Sequence, residues 1–153
     1  EIKMGTRSLT VFNNEWDNEE IVVLYRQYDG YPTGHGRDLL NFLNNMKIVN
    51  GMNSKNEKLK IANGMGCLSA QVIAYLKEAP GDFYLHSAGT RDIGEEFIYT
   101  LYYTEELNIK VQDTYDDGHN LFDGNIKAYK NWMNPQINPI NQNKKKGDEC
   151  FFI

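Results

Sequence analysis

Two β-rich runs open the chain, residues 6–13 and 20–28, and the polar stretch Asn13-Asn14-Glu15-Trp16-Asp17-Asn18 between them reads as a hairpin loop. Within the second run Ile21-Val22-Val23-Leu24-Tyr25 is almost wholly apolar, the pattern of a central strand covered on both faces. The period changes after the turn Asp29-Gly30-Tyr31-Pro32. Leu39, Leu40, Leu43 and Met46 recur at helical spacing and predict a helix over 36–47. Residues 49–60, rich in Asn, Lys and Gly, predict a loop. Leu68, Val72, Ile73 and Leu76 place a second helix at 67–77, stopped by Pro80-Gly81-Asp82. Three strands are then expected, at 83–86, 95–103 and 108–112. The second of them alternates Phe97, Tyr99, Leu101 and Tyr103 on one face. Asp-Gly turn signals at 117–118 and 123–124 predict a last hairpin. The order β-β-α-α-β-β-β implies an α+β domain over 4–133, a largely antiparallel sheet with two helices packed on one face. Residues 134–153, rich in Pro, Asn and Lys, read as an extended or flexible C-terminal tail.

Composition narrows the partners. A chain of 153 residues with a net charge of -5 lacks the basic balance of a nucleic-acid polymer binder, although Arg7, Arg26, Arg37 and Arg91 remain free to form a local basic pocket. No apolar run is long enough to span a membrane, so a cytoplasmic location is expected. Cys67 and Cys150 are too few and too far apart for a disulfide framework. The end Cys150-Phe151-Phe152-Ile153, behind Lys144-Lys145-Lys146, matches a prenylation box in form; a solvated tail is the plainer reading.

Candidate chemistry concentrates at 25–36. Arg26, Tyr28, Asp29, Tyr31, Gly34, His35 and Gly36 lie where a strand, a turn and a helix start meet, and glycines before a helix leave N–H groups and a positive dipole end for an anion. Pairing of the first two strands is expected to bring Arg7 and Arg26 onto one face, where two guanidiniums would grip a phosphate or carboxylate. Asp29 would orient one of them and His35 would donate to the ligand or act as a general acid; the plainer reading is a turn pinned by an Arg26–Asp29 pair. A second glycine-bearing helix start, Ala62-Asn63-Gly64-Met65-Gly66-Cys67, is a further anion candidate or simply a place of close packing. Arg91, in the loop 86–94, completes the ligand-binding set or forms a surface pair with Asp92 or Glu95. His35, His86 and His119 lack metal-ligand spacing, so neither a metal nor a cofactor is expected.

Met4-Gly5-Thr6-Arg7-Ser8 together with Tyr28-Asp29-Gly30-Tyr31-Pro32 and Gly34-His35-Gly36 resembles a family of small phage and bacterial proteins without a settled activity. The resemblance covers about the first quarter of the chain, and many relatives place Trp where this chain has Tyr28. It implies an anti-defence accessory protein acting in a host cell, one that sequesters a nucleotide-like immune signal. Three functions follow as expectations. The first is a homo-oligomeric binding protein for a small phosphorylated or nucleotide-like ligand, gripped by Arg7, Arg26 and Arg91 with Tyr28 or Tyr31 stacking. The second is a metal-independent phosphodiesterase or lyase using His35 and Asp29. The third is an inhibitor that blocks a host defence protein with its tyrosine-rich surface.

Overall fold

The structure is a computed structural model that describes residues 5–53 and 60–134. The prenylation-like end and nearly all of the expected tail lie outside the described residues. Six strands form one mixed sheet: β1 (Ser8–Asn13), β2 (Glu20–Arg26), β5 (Phe83–His86), β6 (Phe97–Tyr103), β7 (Leu107–Asp113) and β8 (His119–Asn125). Their spatial order is β5-β2-β1-β6-β7-β8, and every neighbouring pair is antiparallel except β1–β6, which is parallel. Two short strands, β3 (Lys47–Val49) and β4 (Ile61–Asn63), form a separate parallel pair. The fold is α+β, as the hydrophobic periods predict.

Three helices cover one face: α1 (Arg37–Leu43), α2 (Gly64–Leu76) and α3 (Ile126–Met133). The third was not expected. Its start is written in Asn125, whose side chain accepts the Ala128 N–H at 2.8 Å, and the Asp123-Gly124 pair read as a turn lies inside β8. Asn125→Ala is expected to lower stability by about 1 kcal/mol, measured by denaturant unfolding, because an orphan N–H of the first turn loses its acceptor. Lys47, expected as the end of the first helix, and Val49, expected as loop, belong instead to β3, which pairs with Ile61–Asn63 just before α2, a pairing that local pattern does not encode.

The main core lies between the helices and the sheet. Phe12, Leu24, Tyr99, Leu101, Ile109 and Val111 point from the strands toward Leu39, Leu43, Met65, Leu68, Val72, Tyr129 and Met133. The alternation of Phe97, Tyr99, Leu101 and Tyr103 is borne out, since all four pack into this core. On the opposite face Leu9, Val11 and Val23 form a smaller cluster with Tyr25 and Ile98. β2 sends Leu24 into the main core and Val23 into the smaller one, so its near-continuous apolar run is explained: the strand has a core on each side.

A π-helical turn, Pro32–Gly36, precedes α1 and is packed without slack. The Gly30 N–H donates to the Thr6 carbonyl at 2.8 Å, Tyr99 donates from its hydroxyl to the Gly30 carbonyl at 2.7 Å, and Tyr129 does the same to Gly36 at 2.8 Å. A Cβ on Gly30 would come within 2.8 Å of both Ser8 Cβ and the Thr6 carbonyl. The Gly-Thr-Arg-Ser segment and the Asp-Gly-Tyr-Pro turn are therefore the two halves of one joint.

Candidate functional site

The structure does not bring the predicted arginines together. Ser8 stands directly opposite Arg26, and Arg7, one residue earlier, falls on the other face of the sheet because strand side chains alternate. Arg7 lies against Gly94 and Tyr25, with its buried Nε unpartnered, on the side away from the helices. Arg26 points into the helix-covered face. It pairs with Asp38 at 2.7 Å and stacks over the Phe83 ring at 4.9 Å. Arg91 is occupied by Glu20, at the opposite end of β2 from Arg26. The expectation of one shared anion grip is corrected: the one-residue offset sends the two side chains to opposite faces, and Arg91 is held by its own carboxylate.

His35 is fully buried. Arg26 Nη1 lies 3.1 Å from its Nδ1, and a guanidinium can only donate, so the ring proton sits on Nε2 and is donated to Thr10 Oγ1 at 2.6 Å. Burial first, and the Arg26 charge second, push its pKa down to about 3. A neutral imidazole locked between a strand hydroxyl and a guanidinium is a structural part, so the general acid expected of His35 is replaced by a buried wedge.

The expected helix-start site is also closed. The N–H groups of Gly34 and His35 donate to the carbonyls of Tyr31 and Asp29, at 2.9 and 2.7 Å. Gly36 is pressed against Tyr129 and Tyr99. Asp29 adopts a left-handed backbone (φ 58°) and accepts from the Tyr31 hydroxyl at 3.1 Å, which raises the pKa of that phenol. Arg26 pairs with Asp38 where the plainer sequence reading has Asp29. The half-exposed Tyr28 anchors its own N–H on Asp82 at 3.0 Å. At the second glycine-bearing helix start, Glu15 occupies the anion position: its Oε2 accepts the Met65 N–H at 3.0 Å, and its carboxylate sits beside Gly64. The protein supplies its own anion there.

Open space lies instead at the far end of the sheet, beyond the carboxyl ends of β1 and β6. Two adjoining concavities of about 660 and 480 Å³ share Ile48 and Tyr103. One is lined by Asn44, Asn45, Lys47, Glu105, Lys127 and Lys130, among others. The other has Glu15, Trp16, Asn50, Asn63 and Gly64. Trp16 is 86 % exposed, extreme for an indole, yet its loop is well held. Asn14 Oδ1 accepts the N–H groups of both Trp16 and Asp17, at 3.1 and 3.0 Å, and Glu15 ties the loop to α2. A large aromatic ring is thus presented to water on a fixed support beside a groove of carboxamides and lysines. In the sequence Asn14-Glu15-Trp16-Asp17 reads only as a hairpin loop. The Trp in a turn of polar residues was the available signal, but its partners come from four other segments.

Among the described residues no group of three or more His, Cys, Asp and Glu is arranged to hold a metal ion, and no helix is long and apolar enough to cross a membrane. Comparison of the chain with protein-family models, with curated proteins and with solved structures finds no match.

Proposed function

We propose that this protein binds, without turning over, a small phosphorylated or nucleotide-like ligand, and that it does so in the groove between Trp16, Tyr103 and the lysines of α3 and β3. One observation carries the reading: an exposed indole on a braced loop beside a two-part concavity that contains Tyr103, Lys47, Lys127 and Lys130. Rings of this kind stack on planar ligands, and lysines neutralise phosphates. Binding without catalysis is favoured because neither His35 nor Asp29 lines the groove, and the two are held in separate contacts, His35 by Thr10 and Arg26 and Asp29 by Tyr31. The resemblance to phage accessory proteins extends the proposal to sequestration of a host immune signal.

A thermal-shift screen against nucleotides, cyclic dinucleotides and ADP-ribose derivatives tests it, with ligand integrity read by mass spectrometry. A ligand present at about a hundred times its dissociation constant should stabilise the fold by about 2.7 kcal/mol. Tyr103→Ala and Trp16→Ala should remove that shift. Recovery of cleaved ligand would replace sequestration by catalysis, and a flat response over the panel would sink the reading. In that second case the edge strand β5 favours a protein partner, a second copy or a host factor: its Tyr84 and Leu85, on opposite faces, are 50 % and 59 % exposed.

A further inference from the structure

The two parts of the groove differ in charge. Among the described residues, the part around Trp16 is lined by one carboxylate, Glu15, and by no lysine or arginine. The part around Asn44 and Asn45 contains three lysines, Lys47, Lys127 and Lys130, against two carboxylates, Glu105 and Glu106. One of those carboxylates is already engaged, since Glu106 Oε1 accepts from Asn125 Nδ2 at 2.9 Å. An anionic group is repelled from the first part and balanced in the second. Tyr103 belongs to both and marks where they join.

Glu15 is held in place by the fold. Its Oε2 is fixed by the Met65 N–H, and Oε1 carries no further hydrogen bond among the described residues. A carboxylate oxygen with free lone pairs beside an exposed indole is matched by an amine at the edge of a stacked ring, because a charge-assisted N–H···O⁻ bond is about twice as strong as a neutral one.

Building on the proposed binding function, we propose that the groove, acidic at its Glu15 end and lysine-rich at the other, selects an amine-bearing heteroaromatic ring joined to a phosphate. The ring stacks at Trp16 and Tyr103 with its amino group on Glu15 Oε1, and the phosphate lies among Lys47, Lys127 and Lys130. Glu15 is then the specificity-determining residue. An aminopurine or aminopyrimidine nucleotide satisfies the pattern, whereas a ring that presents only acceptors at that edge leaves the carboxylate unpaired.

Calorimetric titration of the full chain with AMP and with purine riboside 5′-monophosphate, which lacks only the amine, tests the amine contact. AMP is expected to bind about tenfold tighter. Glu15→Gln keeps an acceptor for the Met65 N–H, so its melting temperature should stay close to that of the parent. It should weaken AMP about fivefold and leave purine riboside monophosphate unchanged, because the bond loses its charge. Adenosine, without the phosphate, should bind more weakly than AMP, and Lys127→Gln should reduce that difference. Equal affinity of the two nucleotides, or an equal response of both to Glu15→Gln, overturns the inference while leaving the groove a binding site. Silence of AMP and adenosine with a shift from another ligand of the screen overturns it in the same way. Silence of the whole screen removes the binding reading as well.

Discussion

Acidification from pH 7 to about 4.5 should destabilise this protein, and His35 is the reason. The imidazole is buried, its Nδ1 faces the Arg26 guanidinium, and its pKa is pushed down to about 3. In the unfolded chain the same group titrates near 6.5. Below about pH 6.5 the unfolded state therefore takes up a proton that the folded state refuses, and stability falls as pH falls. The loss runs at up to about 1.4 kcal/mol per pH unit and stops only as the folded pKa is reached. Above pH 7 both states are neutral and the slope from this group vanishes. Protonation also has nowhere to go: the other ring nitrogen already donates to Thr10, Tyr99 lies edge-on at 4.9 Å, and Asp38, the nearest carboxylate in the network, is spent on Arg26. The variant His35→Gln preserves an acceptor for Arg26 and a donor for Thr10 without a titrating group. Urea midpoints of the two proteins between pH 7.5 and 4.5 should diverge as pH falls, the parent losing more. Parallel curves would show that His35 does not set the acid limit. His35→Ala, by contrast, leaves a cavity beside Tyr99 and takes away the acceptor of an Arg26 N–H and the donor to Thr10 Oγ1, and should cost about 3 kcal/mol or more at neutral pH.

How far the sequence could be read depends on the range over which each signal acts. The strands β1, β2, β6 and β7 and helices α1 and α2 were legible because alternation and helical spacing are local. Their registers and neighbours were not. Whether Arg7 and Arg26 share a face turns on a single residue of register, and the pairing of Ser8 with Arg26 decided against it. The glycines at 30, 34 and 36 were visible, but a glycine that frees N–H groups for an anion and one that admits a neighbouring chain look alike in sequence. For Gly30 and Gly36 the phenols of Tyr99 and Tyr129, about seventy and ninety residues away, show which these are. Glu15 was similarly invisible as a cap, because α2 starts fifty residues later. The groove combines the β1–β2 loop, β3, the start of α2, the β6–β7 turn and α3, so no stretch of sequence carries its chemistry.

Gly36→Ala should be a strongly damaging single methyl addition. The new Cβ would lie 2.7 Å from the Tyr129 hydroxyl and 3.3 Å from the Tyr99 ring. Neither neighbour can yield cheaply. Both rings are fully buried, and each phenol is spent on a carbonyl of the turn, Tyr129 on Gly36 itself and Tyr99 on Gly30. Burial raises the pKa of both, so each remains a neutral donor across the working pH range. Moving Tyr129 outward would break its hydrogen bond and disturb its packing on Phe122 and Trp132 at ring separations of 5.4 and 5.8 Å. Overpacking of this kind costs about 1–3 kcal/mol, and the lost bond to a buried carbonyl adds about 1 kcal/mol or more. The expected total is about 3 kcal/mol, read as a lower denaturant midpoint with unchanged m-value. Tyr129→Phe separates the two contributions, since it removes the hydroxyl and relieves most of the clash. Alone it should cost about 1–2 kcal/mol. Combined with Gly36→Ala it should cost less than the sum of the single changes, because the contact that each disturbs is the same. Strict additivity would mean that the turn and α3 do not meet at this point.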